Sequence, residues 1–418
     1  MKASDIFTPG SLPSITYYDR PNLALEKELA LALDTKGMIC SISGPSKCGK
    51  TVLCETVIDN MLLVTGASIT SIDVFWAKIR QALRIEKSTT RTDGRTYGGD
   101  LTSTGELSGG IPFVGQAKGA ISGKVTAAGQ QSSSQAFDKN GAKALFQVLR
   151  ERGITLVLDD FHYASAAVQI TLAQEFKEAA REGTRIVIVT VTQRSDQAIR
   201  ANGDLRGRVS AIDIPYWQNE ELIEIPRRGF AELNITIDES NLRLLVKESV
   251  SSPQLMQSLC LRICNEYDYI SRFANPLVVT LTAQELRLIF ERAANNANCS
   301  TAYSILRNGP KPRGFQRNSY RLANGSTGDI YSIILDAIAS GEPALSFSYQ
   351  NLKERVKALI TDDSGEPRGI DITKALIQMG NSVKDRLGED RVLDYDHELE
   401  TLNILDPYFL YYLRWAKK

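Results

Sequence analysis

The chain has 418 residues, enough for two or three domains that each bury a full core. Its 49 Lys+Arg balance 49 Asp+Glu, so no overall field marks it as a nucleic-acid or membrane binder, and only local patches can act that way. No apolar run approaches the ~20 residues that span a bilayer, and Met1 to Ile6 lacks the apolar core of a signal peptide, so the expected location is cytoplasmic. The six cysteines form no C-x-x-C pair and stand beside two histidines, which argues against a zinc site.

Leu23 to Lys36 is Leu/Ala-rich and reads as a helix stopped by Gly37. Met38 to Ser43 is a short, mostly apolar strand. Next comes Gly44-Pro45-Ser46-Lys47-Cys48-Gly49-Lys50-Thr51, which fits the phosphate-loop pattern G-x-x-x-x-G-K-[ST], and Thr51 to Asn60 reads as the helix that must follow it. The N–H groups of such a loop face inward around phosphate oxygens, and the helix N-terminus adds positive potential. In this pattern Lys50 reaches the β- and γ-phosphates of ATP and Thr51 takes Mg²⁺, so residues 44 to 51 are all candidate nucleotide contacts. Cys48 places a thiol inside the loop, where oxidation would block it; a small buried filler is the default reading.

Ser71 to Ile85 has helical spacing, with Phe75, Trp76, Ile79 and Leu83 on one face. Thr89 to Ser134 then turns rich in Gly, Ser and Thr, which is too long for a structureless loop inside a compact domain. It reads as an insertion, either disordered or in contact with a partner or neighbouring subunit. Phe113, Val114, Ile121 and Val125 among its small residues favour contact. Within it, Leu107-Ser108-Gly109-Gly110 looks like the signature of ABC ATPases, but Ile111-Pro112 follows where that signature opens a helix. The N-K-x-D that reads guanine does not follow the loop.

Ile154 to Asp160 is a buried-type parallel strand ending in two carboxylates. Beside a phosphate loop, Asp159 is expected to hold Mg²⁺ through water, and Asp160 to orient or polarise the attacking water. The alternative is a strand followed by an Asp N-cap for a helix near Ala164. Arg185 to Val191 is the next strand. A polar side chain at its exit can stand between the acidic pair and the γ-phosphate; Gln193 is the candidate and Thr192 the second, against an ordinary polar exit. Arg206 and Arg208 precede a further strand. The planar fork of arginine suits phosphate, and an arginine here can complete a neighbouring subunit's site in trans, with surface salt bridging as the alternative.

This order of residues resembles AAA+ ATPases and the related STAND ATPases over roughly residues 14–270. Leu205 to Arg228, with Arg-Val-Ser, Ile-Pro-Tyr and Glu220-Glu221-Leu222, looks like origin-recognition and transposition-regulator ATPases. Asp159-Asp160-Phe161-His162-Tyr163 looks more like the STAND branch, since typical AAA+ proteins carry Asp-Glu. Thr16 to Pro21 resembles the segment that approaches adenine in both groups, which makes Tyr18 and Arg20 candidates for the base. One departure stands out: Ser252-Pro253-Gln254-Leu255-Met256 carries Gln254 where AAA+ proteins often have a second sensing arginine. Slow, switch-like turnover suits that better than motor activity.

The resemblance implies an α/β fold: a P-loop NTPase parallel sheet in an AAA+/STAND core over 1–215, with the insertion at 89–134, and a helical lid over 216–300. Asn219 to Leu233 (kinked at Pro226), Asp238 to Val250 and Pro253 to Tyr267 supply the lid helices. A linker at Ser271 to Val279 and a helix at Thr282 to Asn296 follow. A basic linker and winged-helix-like domain fill 301–418. Between Ser300 and Gly328 lie Arg307, Lys311, Arg313, Arg317 and Arg321 without an acid, interleaved with Phe315 and Tyr320. A solvated connection is favoured there over phosphate contact. Helices over Asp329 to Ser340, Tyr349 to Ile360 and Ile372 to Leu387, with strands over Arg391 to Tyr395 and Leu399 to Leu405, give the winged-helix pattern. The mixed charge of its third helix (Lys374, Lys384 and Arg386 with Asp371 and Asp385) favours protein contact over DNA.

The expectation is therefore an ATPase using ATP and Mg²⁺ that turns over slowly, forms homo-oligomers and relays its nucleotide state to a separate effector or regulatory protein. No nuclease, protease or NAD-cleaving module is visible, and bacterial defence or mobile-element control is the analogous setting. A DNA-binding initiator or transposition regulator is one alternative, and a non-catalytic nucleotide-bound scaffold the other.

Overall fold

The computed structural model describes residues 1–85, 139–191, 207–310, 317–361, 365–388 and 391–416. The 89–134 insertion, Thr192, Gln193, Arg206, Lys311, Arg313 and Phe315 lie outside the described residues.

After a single turn, α1 (Ala3–Ile6), and a helix, α2 (Leu25–Asp34), the chain enters a five-stranded sheet. The strands are β1 (Ile39–Gly44), β2 (Met61–Thr65), β3 (Thr155–Asp159), β4 (Ile186–Val191) and β5 (Val209–Asp213). They run parallel in the order β2-β3-β4-β1-β5. All six residues of β1 are buried, as expected of a parallel strand covered on both faces. On one face, α2 and α3 (Lys50–Val57) set Leu29, Leu53 and Cys54 against Cys40, Ile42, Val157 and Val189. On the other lie α4 (Ile72–Leu83), α5 (Lys139–Glu151) and α6 (Ala166–Arg181). Phe75, Trp76, Phe146 and Phe176 meet there edge to face, the first three with ring centroids 4.8 and 5.0 Å apart.

β2 has no counterpart in the sequence reading, and the helix expected to run to Asn60 ends at Val57. The reason is local: Asn60 accepts the N–H of Thr155 at 2.9 Å and donates to the carbonyl of Arg152 at 3.0 Å, so it already belongs to the sheet edge. The helix near Ala164 is capped by Ser165 rather than by Asp160.

Beyond β5 the chain is mainly helical: α7 (Asn219–Leu222), α8 (Glu224–Glu232), α9 (Glu239–Glu248), α10 (Pro253–Glu266) and α11 (Ala283–Asn295). The expected first lid helix breaks at Ile223, before Pro226, which falls in the first turn of α8 where a missing N–H is tolerated. Side chains of Asp238, Ser252 and Thr282 cap the helices that follow them. The expected linker contains β7 (Leu277–Val279), which pairs in parallel with β6 (Ile235–Ile237).

The basic stretch opens as a helix, α12 (Ser300–Asn308), not as a loop. Arg317 is spent internally: it donates to Asp329 at 2.6 Å and to the carbonyl of Asn308 at 2.8 Å, and lies 4.5 Å over the Tyr331 ring. After the short pair β8 (Tyr320–Arg321) and β9 (Thr327–Gly328) come α13 (Ile330–Ala339), β10 (Ser346–Ser348), α14 (Tyr349–Leu359), α15 (Gly369–Leu387), β11 (Leu393–Asp396), β12 (Thr401–Ile404) and α16 (Pro407–Trp415). Here the antiparallel strands take the order β10-β12-β11.

One apolar core runs from the α2/α3 face of the sheet through α8–α11 and into α13–α16. α16 is fastened to it by charge as well. Arg414 grips Glu248 of α9 through two bonds of 2.9 and 2.8 Å, and the Trp415 indole donates to the same carboxylate at 2.7 Å. Glu248 is only 2 % exposed, so removing its partner strands a buried charge. We expect Arg414→Ala to lower the unfolding free energy by about 3–5 kcal/mol in denaturant titration. Arg227→Ala, which breaks the exposed pairs with Glu224 and Glu239, should cost under about 1 kcal/mol. Equal losses would refute the assignment.

Candidate functional site

The parallel strands leave their C-terminal ends along one edge of the sheet, where open α/β sheets take ligands. The two motifs singled out in the sequence end there, at Gly44 of β1 and Asp159 of β3, on either side of β4. From Gly44 the chain loops directly into α3, whose first residue is Lys50. Gly49 precedes it at φ +102°, a left-handed conformation that glycine adopts without a Cβ clash. Lys50 is buried, and its ammonium donates to the carbonyls of Gly44 at 3.0 Å and Pro45 at 2.6 Å. The Cys48 carbonyl faces the other way and accepts the Trp217 indole N–H at 2.8 Å. Burial pushes the Cys48 thiol above its usual range, with Lys50 and Arg20 pulling against it, which disfavours the reactive thiolate.

Thr51 points across to β3 and donates to Oδ2 of Asp159 at 2.7 Å. Oδ1 of Asp159 accepts the backbone N–H of Asp160 at 2.9 Å. Asp160 has φ +52°, a left-handed turn that lifts its carboxyl out of the strand line. Burial, helped by the neighbouring Asp159 and opposed by Lys50, pushes that carboxyl up to about 6 from 3.8. The turn closes against Gly66, just past β2: a Cβ there would lie 2.1 Å from the Asp160 carbonyl oxygen. An ammonium, a hydroxyl–carboxylate pair and a half-buried second carboxyl thus share one corner of the sheet. Such a set can hold a polyphosphate with a hard cation and position a water.

The other sequence-derived candidates are held by the following partners. Arg20 is buried, with an ion pair to Glu221 at 2.9 Å, bonds to the carbonyls of Pro215 and Tyr216 and a distance of 5.0 Å to the Trp217 ring, while its Nε has no hydrogen-bond partner. Tyr18 lies under the Arg228 guanidinium at 4.9 Å, while Arg228 also donates to the Tyr17 carbonyl at 2.6 Å. Gln254 donates to the carbonyl of Pro9 at 2.8 Å. Arg208 immediately precedes β5, and its carbonyl accepts the N–H of Ile39, the first residue of β1. It therefore stands at the end of the sheet opposite the loop, ~20 Å away at the rise of a parallel strand, beyond the reach of its own side chain. Sequence reasoning missed Trp217, Arg228, Gly66 and the tie from Lys47 to Asp406 at 2.7 Å. Trp217 lies four residues beyond β5 with no motif to mark it, and the others had no local signal either.

The raised Asp160 pKa has a stability consequence. A carboxyl whose folded pKa exceeds its unfolded one contributes stability below the unfolded value and loses it as pH rises through the folded value. In metal-free buffer, Asp160→Asn should remove a loss of stability between pH about 4 and about 6 that the parent chain shows. Parallel stability–pH curves for the two proteins would contradict the burial argument.

No family model matches the chain, and no curated protein matches it. Solved structures do. A Walker-type ATPase of Pyrococcus abyssi aligns at 14 % identity with a TM-score of 0.52, covering 95 % of each chain. The Orc1 protein of Aeropyrum pernix, solved in complex with DNA, aligns at 14 % identity and TM-score 0.45 over 99 % of this chain and 95 % of that one. Cdc6p of Pyrobaculum aerophilum gives 11 % and 0.43 over 97 % and 94 %. With the five-stranded parallel sheet and its strand order, the chain has a P-loop NTPase fold.

Proposed function

We propose that this chain is an ATP-binding, slowly hydrolysing switch that assembles with copies of itself and passes its nucleotide state to a partner. The observation that carries the reading is the 2.7 Å bond between Thr51 and Asp159, made beside the buried ammonium of Lys50. Both are hard oxygen ligands at the mouth of the loop, the donor set Mg²⁺ selects. When bound, Mg²⁺ neutralises charge on the β- and γ-phosphate oxygens. Lys50 would exchange its loop carbonyls for phosphate oxygens, the N–H groups of residues 46–51 would surround the rest, and Asp160, once ionised, would take the proton of the water that attacks the γ-phosphorus as the bond to ADP breaks.

Slow turnover is supported by Gln254, a neutral side chain already committed to the Pro9 carbonyl. Assembly is the role that would remain for Arg208, which is too far from its own loop to serve it. The helix and strand sequence α13-β10-α14-α15-β11-β12, with its β10-β12-β11 sheet, supports a winged-helix domain at the C-terminus. On α15, Ile370 and Ile377 are 56 % and 36 % exposed and flank Lys374, a surface better suited to a protein than to a phosphate backbone. The Asp159-Asp160-Phe161 sequence keeps the STAND branch in view.

Lys50→Ala should abolish ATP binding in calorimetry; unchanged affinity would end the proposal. For trans action, Arg208→Ala should cut hydrolysis by about 10³-fold. Mixing Arg208→Ala subunits with inactive Asp160→Asn subunits should restore part of it, because one interface then holds both wild-type groups. Mixtures as inactive as their components would show that Arg208 does not act across subunits.

A further inference from the structure

The loop contains a second lysine. Lys47 has φ +61°, a left-handed backbone at a residue with a long side chain. For any residue other than glycine that conformation is disfavoured by contact between Cβ and the backbone, so something must hold it. The side chain leaves the loop outward. Its ammonium meets Oδ1 of Asp406 at 2.7 Å and lies 4.3 Å over the ring of Tyr408. Both partners belong to the start of α16, 359 residues further along the chain, where Asp406 also caps the helix by accepting the N–H of Tyr408. The Tyr408 hydroxyl is 2.9 Å from Ser258 of α10, one turn beyond Gln254.

Concave rings of N–H groups that bind anions are built by alternating left-handed and right-handed residues. Gly49 takes its left-handed turn freely, whereas Lys47 does not. The ion pair and the cation–π contact draw the Lys47 side chain from the same side, and both are lost if the backbone relaxes. We propose that Asp406 and Tyr408 are positioning residues for the phosphate loop: they hold Lys47 in the left-handed conformation that turns the loop N–H groups toward phosphate. The seating of α16 and the affinity for nucleotide are then linked, each strengthening the other by the same factor. The inference rests on the reading of residues 44–51 as a nucleotide site.

The test is a double-mutant cycle read as the Kd of Mg²⁺-ATP in the full chain. Asp406→Asn keeps an oxygen for the Tyr408 N–H, so the helix cap survives while the charge facing Lys47 is lost. Lys47→Gly supplies the left-handed residue without needing a tether. Asp406→Asn alone should weaken binding by about fivefold or more. In the Lys47→Gly background the same change should leave affinity where it was, and this rescue is something a general structural role would not produce. The cycle repeated with Tyr408→Leu, which removes the ring under the ammonium, should give the same pattern. Equal losses in both backgrounds, or no loss in either, would overturn the inference while leaving the nucleotide site standing. A parent chain that binds no nucleotide would overturn the site reading, and the inference with it.

Discussion

A buried ammonium group has to be met by oxygen, and that requirement organises the corner of the sheet around Lys50. Its hydrogen bonds to the Gly44 and Pro45 carbonyls close the loop on itself and fix where α3 starts. With α3 fixed, Thr51 faces β3 and finds Asp159. The two strand ends are kept apart by β4, so the distance between loop and carboxylates is set by strand spacing in the sheet rather than by side-chain reach.

The loop is held from outside as much as from within. Loop carbonyls that Lys50 does not meet need other donors. Cys48 finds one in Trp217, from the segment that joins β5 to the helical part of the chain. Trp217 is in turn stacked beside Arg20, whose guanidinium bonds the carbonyls of Pro215 and Tyr216. The N-terminal segment, the β5 exit and the loop therefore form one bonded unit.

What the sequence made legible follows from how locally each feature is written. β1, β3 and β4 are continuous apolar runs because both of their faces are buried, and the loop and Asp159-Asp160 follow two of them directly. β2 is a half-buried edge strand that leaves α3 after three residues, so its pattern merges with the helix before it. Gly66 gave no sign of its role, because the close approach it permits is to a turn nearly a hundred residues away. Tyr18, Arg20 and Gln254 came from resemblance alone. Their partners in this chain (Arg228, Glu221 and the Pro9 carbonyl) are long-range contacts with no local pattern. Gln193 and Arg206 lie outside the described residues.

The continuous apolar core has a consequence for how movement can spread. Phe409, Leu410 and Leu413 of α16 are buried in the same cluster as Leu255 and Leu259 of α10 and Val187 of the sheet. Swinging the C-terminal segment away as a rigid body would strip that surface and uncouple Glu248 from Arg414 in one step. Such a core opens only at a large fraction of the global unfolding free energy. Small sliding displacements between packed helices keep the burial and are the low-cost mode. Such a core favours shear over a hinge, and a change at the loop would reach α16 as a small displacement.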